Sequence, residues 1–387
     1  MYKALAFASP IHGDFVHAKY EEVKRLFPTA SGPYSSAEDA PPAKVAVIIP
    51  ITGGTSAAIA EYARRAGAER VVLFGLPEHN SLASALSARS LLEAEGIKTW
   101  VFHCPPGSDC SREADMASRV AGAVASLHSP RVLLIGRRTA QTERFEAKFN
   151  AKVDVMSIDD FAELVRKSEP DPEFLRVFGR DLADIARIYA ALKGLGSYDG
   201  VAVTCFPYIQ KYGKTPCLPL SLLNSRGILA ACEGDLQALT AMFISRALTD
   251  TGGWIANVAY VREDEAFFAH CTINLGMAKA WRIMPHFETG KPAGLAAELP
   301  RGLYTGISVG PLFDRLGVGL FEALETGNMV PWACRTQMRA RPLFDGRRLL
   351  ELAPANHHVL APGDLREALR AVSHLLDMRY VGYSEGQ

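Results

Sequence analysis

KVAVIIPITGGTSAAIAEYARRAGAERVVLFGL, Lys44 to Leu76, decides the fold class. Its two ends, KVAVIIPI (Lys44 to Ile51) and RVVLFGL (Arg70 to Leu76), are short, β-branched and continuously apolar, the pattern of strands buried on both faces. Between them runs TSAAIAEYARRAG, rich in Ala and Arg and closed by Gly, which predicts a helix with a glycine stop. Strand, helix, strand at this spacing is a βαβ unit, so the sheet is parallel and covered by helices. The pair of glycines in ITGGTSAAI lacks the G-x-G-x-x-G and Walker spacings. It predicts a tight strand-to-helix turn and gives no support for nucleotide binding.

Working outward, the rhythm continues through the helix-like NSLASALSARSLLEAEG to KTWVFHC (Lys98 to Cys104). It restarts at RVLLIG (Arg131 to Gly136), KVDVMSI (Lys152 to Ile158) and YDGVAVTCF (Tyr198 to Phe206), with a linking helix expected over Glu173 to Gly196. Upstream, the Pro, Ser and Gly cluster from Thr29 to Ala43 predicts a loop. Beyond about residue 250 the texture changes to short alternating runs such as GWIANVAYV, EAFFAHCTI and GLYTGISVG, the pattern of a β-sandwich or barrel. One helix closes this region: in GDLREALRAVSHLLDMRYV, Leu365, Leu369, Val372 and Leu376 share a face. The expected architecture is α/β: two tandem Rossmann-like parallel-sheet domains, 1-129 and 130-250, then a mostly antiparallel β-barrel domain, 251-387, with a closing helix.

Composition narrows the function classes. Lys plus Arg and Asp plus Glu both number 42, so no net field exists to gather nucleic acid or an anionic membrane surface. A neutral or weakly charged small ligand fits better. The seven cysteines are odd in number, scattered and without a C-x-x-C pair, which argues against a disulfide framework or a thiolate zinc site. No run of about 18 apolar residues suggests a membrane span and the N-terminus lacks a signal-peptide core, so the cytoplasm is the expected location.

Candidate chemistry centres on ILAACEGDLQALTAMFISRALT, Ile228 to Thr249. Leu236, Leu239, Met242, Phe243, Ile244, Ala247 and Leu248 cover most of a helix circumference, which predicts a buried helix with Glu233 and Asp235 in its first turn. Acids at that place stabilise the helix dipole and satisfy free N–H groups, and that alone is one reading of the pair. The other is a ligand set. His270 lies 37 residues after Glu233 and His357 a further 87 on, and a carboxylate with two imidazoles supplies the N and O donors a divalent metal accepts. His357 and His358 are adjacent on an extended chain, so only one of them faces a given site.

The stretches CFPYIQKYGKTPCLPLSLLNSRGILAACEGDLQALTAMFISRALT, AHCT, CRTQ and ANHHVLAPGDLREAL together resemble the L-fucose isomerase and L-arabinose isomerase superfamily, most of all its short L-fucose isomerase-like branch. TGGT and NSLASALSARSLLEAEGI resemble that family's first α/β domain, so the likeness spans most of the chain.

The resemblance implies a metal-dependent aldose–ketose isomerase that works through an enediol, with Mn2+ or another divalent metal as cofactor and a small-molecule sugar as substrate. It implies that Glu233 is both metal ligand and acid/base group, that His270 and His357 are metal ligands, and that a homo-oligomer, trimer or hexamer, assembles. Where the family carries a second catalytic carboxylate this chain has Asn257, an amide that cannot accept a proton at neutral pH. Asp235, Glu263, Asp264, Glu265 or a water are the alternatives for that role. Lys211, Tyr212, Arg335 and Gln337 are expected to line the sugar pocket, and His286 and Glu288 to approach it. The competing expectations are a sugar-binding or regulatory homologue that has lost the base, and a lyase or epimerase that uses the same site.

Overall fold

The computed structural model describes residues 1–384. The chain divides into two compact units, Met1–Ser126 with Glu367–Met378, and Leu127–Arg366 with the segment from Arg379.

In the first unit five parallel strands, β1 (Lys3–Phe7), β2 (Ser31–Tyr34), β3 (Val45–Pro50), β4 (Arg70–Gly75) and β5 (Lys98–His103), form a sheet in the order β2-β1-β3-β4-β5. The central strand β3 is buried along its whole length, as its unbroken apolar run requires. The helix Ser56–Ala66 ends at Gly67 in the left-handed conformation, whose N–H caps Ala63 and Arg64. The TGGT turn is tied internally: the Ser9 N–H donates to Thr52 Oγ1 at 2.9 Å, and Thr55 Oγ1 lies 2.7 Å from Ser84 Oγ. It works as a tight turn. Within the segment expected to be a loop, Ser31–Tyr34 adds to β1 as an edge strand. An edge tolerates Pro33, whose missing N–H breaks no inner ladder. Cys104 and Cys110 form a disulfide just after β5, a single local staple in a chain whose cysteine pattern had argued against a framework. The body of the closing helix Arg366–Leu375 packs within this unit, with the His374 ring 5.7 Å from Trp100.

The second unit opens with a parallel sheet of β6 (Arg131–Ile135), β7 (Lys152–Met156), β8 (Gly200–Val203) and β9 (Leu229–Ala231), in the order β7-β6-β8-β9. The single linking helix expected before β8 is broken instead into Pro172–Phe178 and Ala183–Lys193 around Gly179, where φ is 109°. The remaining strands are β10 (Trp254–Val261), β11 (Ala266–His270), β12 (Ala280–Met284), β13 (Gly294–Glu298), β14 (Gly302–Val309), β15 (Arg315–Gly327), β16 (Thr336–Pro342), β17 (His358–Pro362) and β18 (Arg379–Gly382). Six of them run antiparallel in the order β14-β17-β10-β11-β16-β15, and β14 pairs with β15 to close a barrel. The strand β18 lies parallel on β15, while β12 and β13 form a separate hairpin.

The α/β architecture of parallel sheets followed by an antiparallel barrel is therefore the one the sequence predicts. One apolar core runs from the second sheet into the barrel, joining Leu133, Phe161, Trp254, Phe268, Phe321 and Tyr383. Among the described residues no helix is long and apolar enough to cross a membrane.

Candidate metal centre

Sheet and barrel meet where β9 ends. The chain leaves Ala231, passes Cys232 and makes a left-handed turn at Glu233 (φ 61°) and Gly234 (φ 66°) before the helix Leu236–Thr249 begins. Glu233 is thus not in the first helical turn as its spacing suggested, but in the turn ahead of it. Asp235 is the N-cap, its Oδ1 accepting from the N–H groups of Gln237 and Ala238 at 2.7 and 3.0 Å.

Gly234 is fixed by its surroundings. Its N–H donates to the Val203 carbonyl at 2.8 Å, and a Cβ there would sit 2.6 Å from Thr204 Oγ1. Positive φ and absent space both exclude a side chain. Gly234→Ala is expected to destabilise the protein by about 2 kcal/mol or more. The urea-unfolding midpoint measures this, and an unchanged midpoint would show that the turn relaxes freely.

Three side chains converge beside this turn. Glu233 Oε1 lies 3.4 Å from His270 Nε2 and 3.8 Å from His357 Nε2, and one donor atom from each residue falls within 4.8 Å of the others. Glu233 comes from the β9 turn, His270 from the end of β11 and His357 from the residue before β17. The two rings meet edge to face with centroids 5.5 Å apart. The two histidines are largely buried, whereas the Glu233 side chain is 31% exposed and opens the cluster to solvent.

The donor chemistry fits a cation unequally at the three positions. His357 Nδ1 lies 2.7 Å from Asp235 Oδ2, so the neutral ring carries its proton on Nδ1 and a lone pair on Nε2. That Nε2 is buried and has no hydrogen-bond partner, which is the arrangement of a metal-ligating imidazole held by an outer carboxylate. Glu233 offers its carboxylate directly. His270 differs: the Thr272 N–H donates to its Nδ1 at 3.2 Å, which leaves the proton on Nε2, facing Glu233. To bind a cation through Nε2 it must give up that proton, and a transfer to Nδ1 also requires the Thr272 amide to turn away. Burial works against charge on this ring, while the hydrogen bond and negative charge of Glu233 work for it, and the balance raises the His270 pKa. The three residues could hold a metal ion, with Glu233 and His357 the ready donors.

The adjacent imidazoles diverge. His358 points into the barrel core, fully buried, with Nδ1 2.9 Å from the Asn356 carbonyl and Nε2 2.9 Å from the Tyr383 hydroxyl. Burial pushes its pKa down to about 4. An unfolded chain protonates this residue near 6.5, so between these values the unfolded state binds the extra proton. The stabilisation is complete above pH 6.5 and is lost as the pH falls towards 4, a contribution of about 3 kcal/mol. Denaturant titrations from pH 7.5 to 4.5 should show this slope, and His358→Gln should remove it.

The other predicted site residues supply no donor atom to this triad. Asn257, on β10, has its amide oxygen 2.5 Å from Asn356 Nδ2, beside His357 in sequence. Lys211 and Tyr212 meet Asp159 at 2.7 and 2.5 Å, and Tyr212 lines a cleft of about 540 Å³ with Arg166, Asp184, Arg187 and Lys214. Neither is part of the cluster. Gln337 is fully buried and its amide is completely used, accepting from the Met329 and Val330 N–H groups and donating to the Val330 and Cys334 carbonyls. It fastens a loop. Arg335 Nε donates to the Pro285 carbonyl at 2.7 Å and its guanidinium lies over Phe287. It thereby clamps the β12–β13 hairpin tip, which carries His286 and Glu288.

His286 is buried, its Nδ1 3.1 Å from Thr289 Oγ1, and burial lowers its pKa. Glu288 has its pKa raised by partial desolvation and by the negative charge of Glu233. The role of Asp235 as support for His357 went unread in the sequence because the two residues are 122 positions apart. No protein-family model matches the chain, and no curated protein matches it.

Proposed function

We propose that the protein is a metal-dependent aldose–ketose isomerase acting on a small sugar, with Glu233 as the proton-transferring base. The observation that carries this reading is the buried, unpartnered Nε2 of His357, held by Asp235 and facing the Glu233 carboxylate. Glu233, His357 and, after its proton shift, His270 would hold a divalent cation such as Mn2+. When bound, the cation would polarise the sugar carbonyl and favour the oxyanion that develops on it.

The chain's own residues supply the proton traffic. Aldose–ketose conversion moves a proton between C1 and C2 through an enediol, so a carboxylate must take it and an acid must serve the carbonyl oxygen. Glu233, its side chain 31% exposed, is open enough to meet a sugar and would take the carbon proton. The acid is Glu288. Asp235 is occupied by two backbone N–H groups and His357, Glu265 meets Tyr260 and Arg339, and Glu263 meets Arg347. Glu288 is a carboxyl that the charge of Glu233 reaches, and that charge together with partial desolvation raises its pKa.

The test is proton NMR of the manganese-loaded protein with a panel of aldoses and ketoses in deuterium oxide. Metal-dependent loss of the C1 or C2 proton signal is expected, with Glu288→Gln slowing it about 10²-fold or more. Undiminished exchange in Glu288→Gln would remove Glu288 from the mechanism. The amide at Asn257 favours a second reading, a sugar-binding protein without turnover. Saturable binding in calorimetry with no exchange for any bound sugar would select it, and would also exclude lyase or epimerase chemistry through an enediol. A trimeric or hexameric assembly and a cytoplasmic location belong to the same proposal.

A further inference from the structure

Five cysteines remain as thiols, Cys205, Cys217, Cys232, Cys271 and Cys334, and all of them lie in the second unit. Two adjoin cluster residues in the sequence: Cys232 precedes Glu233 and Cys271 follows His270. Cys205 begins the helix after β8 and Cys232 follows β9, and these strands are parallel neighbours in register, Ala202 opposite Ala231. The two cysteines therefore meet at the same end of the sheet. Their Sγ atoms are 3.4 Å apart, both residues are 2% exposed, and the Thr272 hydroxyl reaches Cys232 Sγ at 3.5 Å.

We propose that Cys205 and Cys232 are a reversible redox pair whose disulfide displaces Glu233 and weakens the metal cluster. The metal half of this inference rests on the reading above, and the disulfide half does not. A disulfide needs the sulfurs about 2.05 Å apart, so they must approach by about 1.4 Å. There is little slack to absorb that movement. Cys232 is bonded directly to Glu233, and the following Gly234 is pressed against Thr204, the residue before Cys205. Closing the bond draws on both sides of one tight contact, and the Glu233 turn is the part that ends at solvent.

The chemistry needs a two-electron oxidant, for which hydrogen peroxide is the class. One thiol is oxidised to a sulfenic acid with release of water, and the second thiol sulfur then displaces the hydroxyl as a second water. Two thiols and one peroxide give one disulfide and two waters. A dithiol reductant reverses the step by exchange.

The test treats the full-length protein with hydrogen peroxide, maps linked peptides under non-reducing conditions, and follows Mn2+ affinity by calorimetry and amide hydrogen exchange at Gly234. The expected result is a Cys205–Cys232 linked peptide, at least a tenfold loss of Mn2+ affinity, faster exchange at Gly234, and recovery of all three with dithiothreitol. Cys205→Ser and Cys205→Ala should each keep their Mn2+ affinity through the same treatment. A link formed elsewhere, such as Cys271 to Cys334, no link at all, or a Cys205–Cys232 link that leaves Gly234 exchange unchanged would overturn the proposal. If the untreated protein binds no Mn2+, the metal reading fails, and the mapping together with Gly234 exchange still decides the redox pair.

Discussion

Glu233→Gln is expected to abolish measurable turnover, lowering kcat/KM by about 10³-fold or more, while the protein unfolds at nearly the wild-type denaturant concentration. The variant removes one charge from a cluster of two imidazoles and a carboxylate and keeps the volume of the side chain. An amide still offers an oxygen to a cation but cannot take a proton, so the chemical step suffers more than the fold. Mn2+ affinity should fall as well, because a neutral oxygen replaces an anionic donor. The fold is insensitive because the Glu233 side chain is 31% exposed and stands in a turn ahead of the helix. Steady-state kinetics, calorimetry with Mn2+ and urea unfolding on one preparation separate these effects. Full activity with intact metal binding would remove Glu233 from the site altogether.

The second large effect is expected at Asp235, and its cost in stability depends on the replacement. Asp235→Asn keeps an N-cap, since an amide oxygen still accepts from Gln237 and Ala238, so stability should change by less than about 1 kcal/mol. The bond to His357 is different. A carboxylate fixes the His357 proton on Nδ1, while an amide can present its NH2 group and reverse the tautomer, placing the proton on the Nε2 that must stay free. Loss of such an outer partner costs about 10- to 100-fold in metal affinity. Asp235→Ala should lose the same affinity and about 1 to 2 kcal/mol of stability besides. Equal metal affinity in wild type and Asp235→Asn would show that the carboxylate only caps the helix.

These two residues also show what the sequence could and could not yield. The strands Val45–Pro50, Arg70–Gly75 and Arg131–Ile135 were legible because burial on both faces leaves an unbroken apolar run. The break at Gly179 was not, since local propensity favours one helix over Glu173 to Gly196 and a single glycine decides otherwise. Ser31–Tyr34 was hidden for a related reason: Gly and Pro read as a turn, and only pairing with β1 makes them an edge strand. At the site, the meeting of Glu233, His270 and His357 was readable from residue type and motif. Their roles were not, because a tautomer is set by whichever group touches the second ring nitrogen. For His357 that group is Asp235, and for His270 it is the Thr272 amide. Lys211 and Arg335 illustrate the converse, since closeness in sequence to a motif did not bring either side chain to the cluster: one pairs with Asp159 and the other holds a hairpin tip.

The neighbouring imidazoles carry one last consequence, for the order in which a nascent chain becomes competent. His357 is oriented from one side by Asp235, and the next residue is anchored from the other by the Tyr383 hydroxyl. A ribosome that has made everything up to β17 has therefore made every donor of the cluster but not the Tyr383 hydroxyl that meets His358. Chain order thus puts the donors first and the contact that closes on His358 last, 25 residues further along.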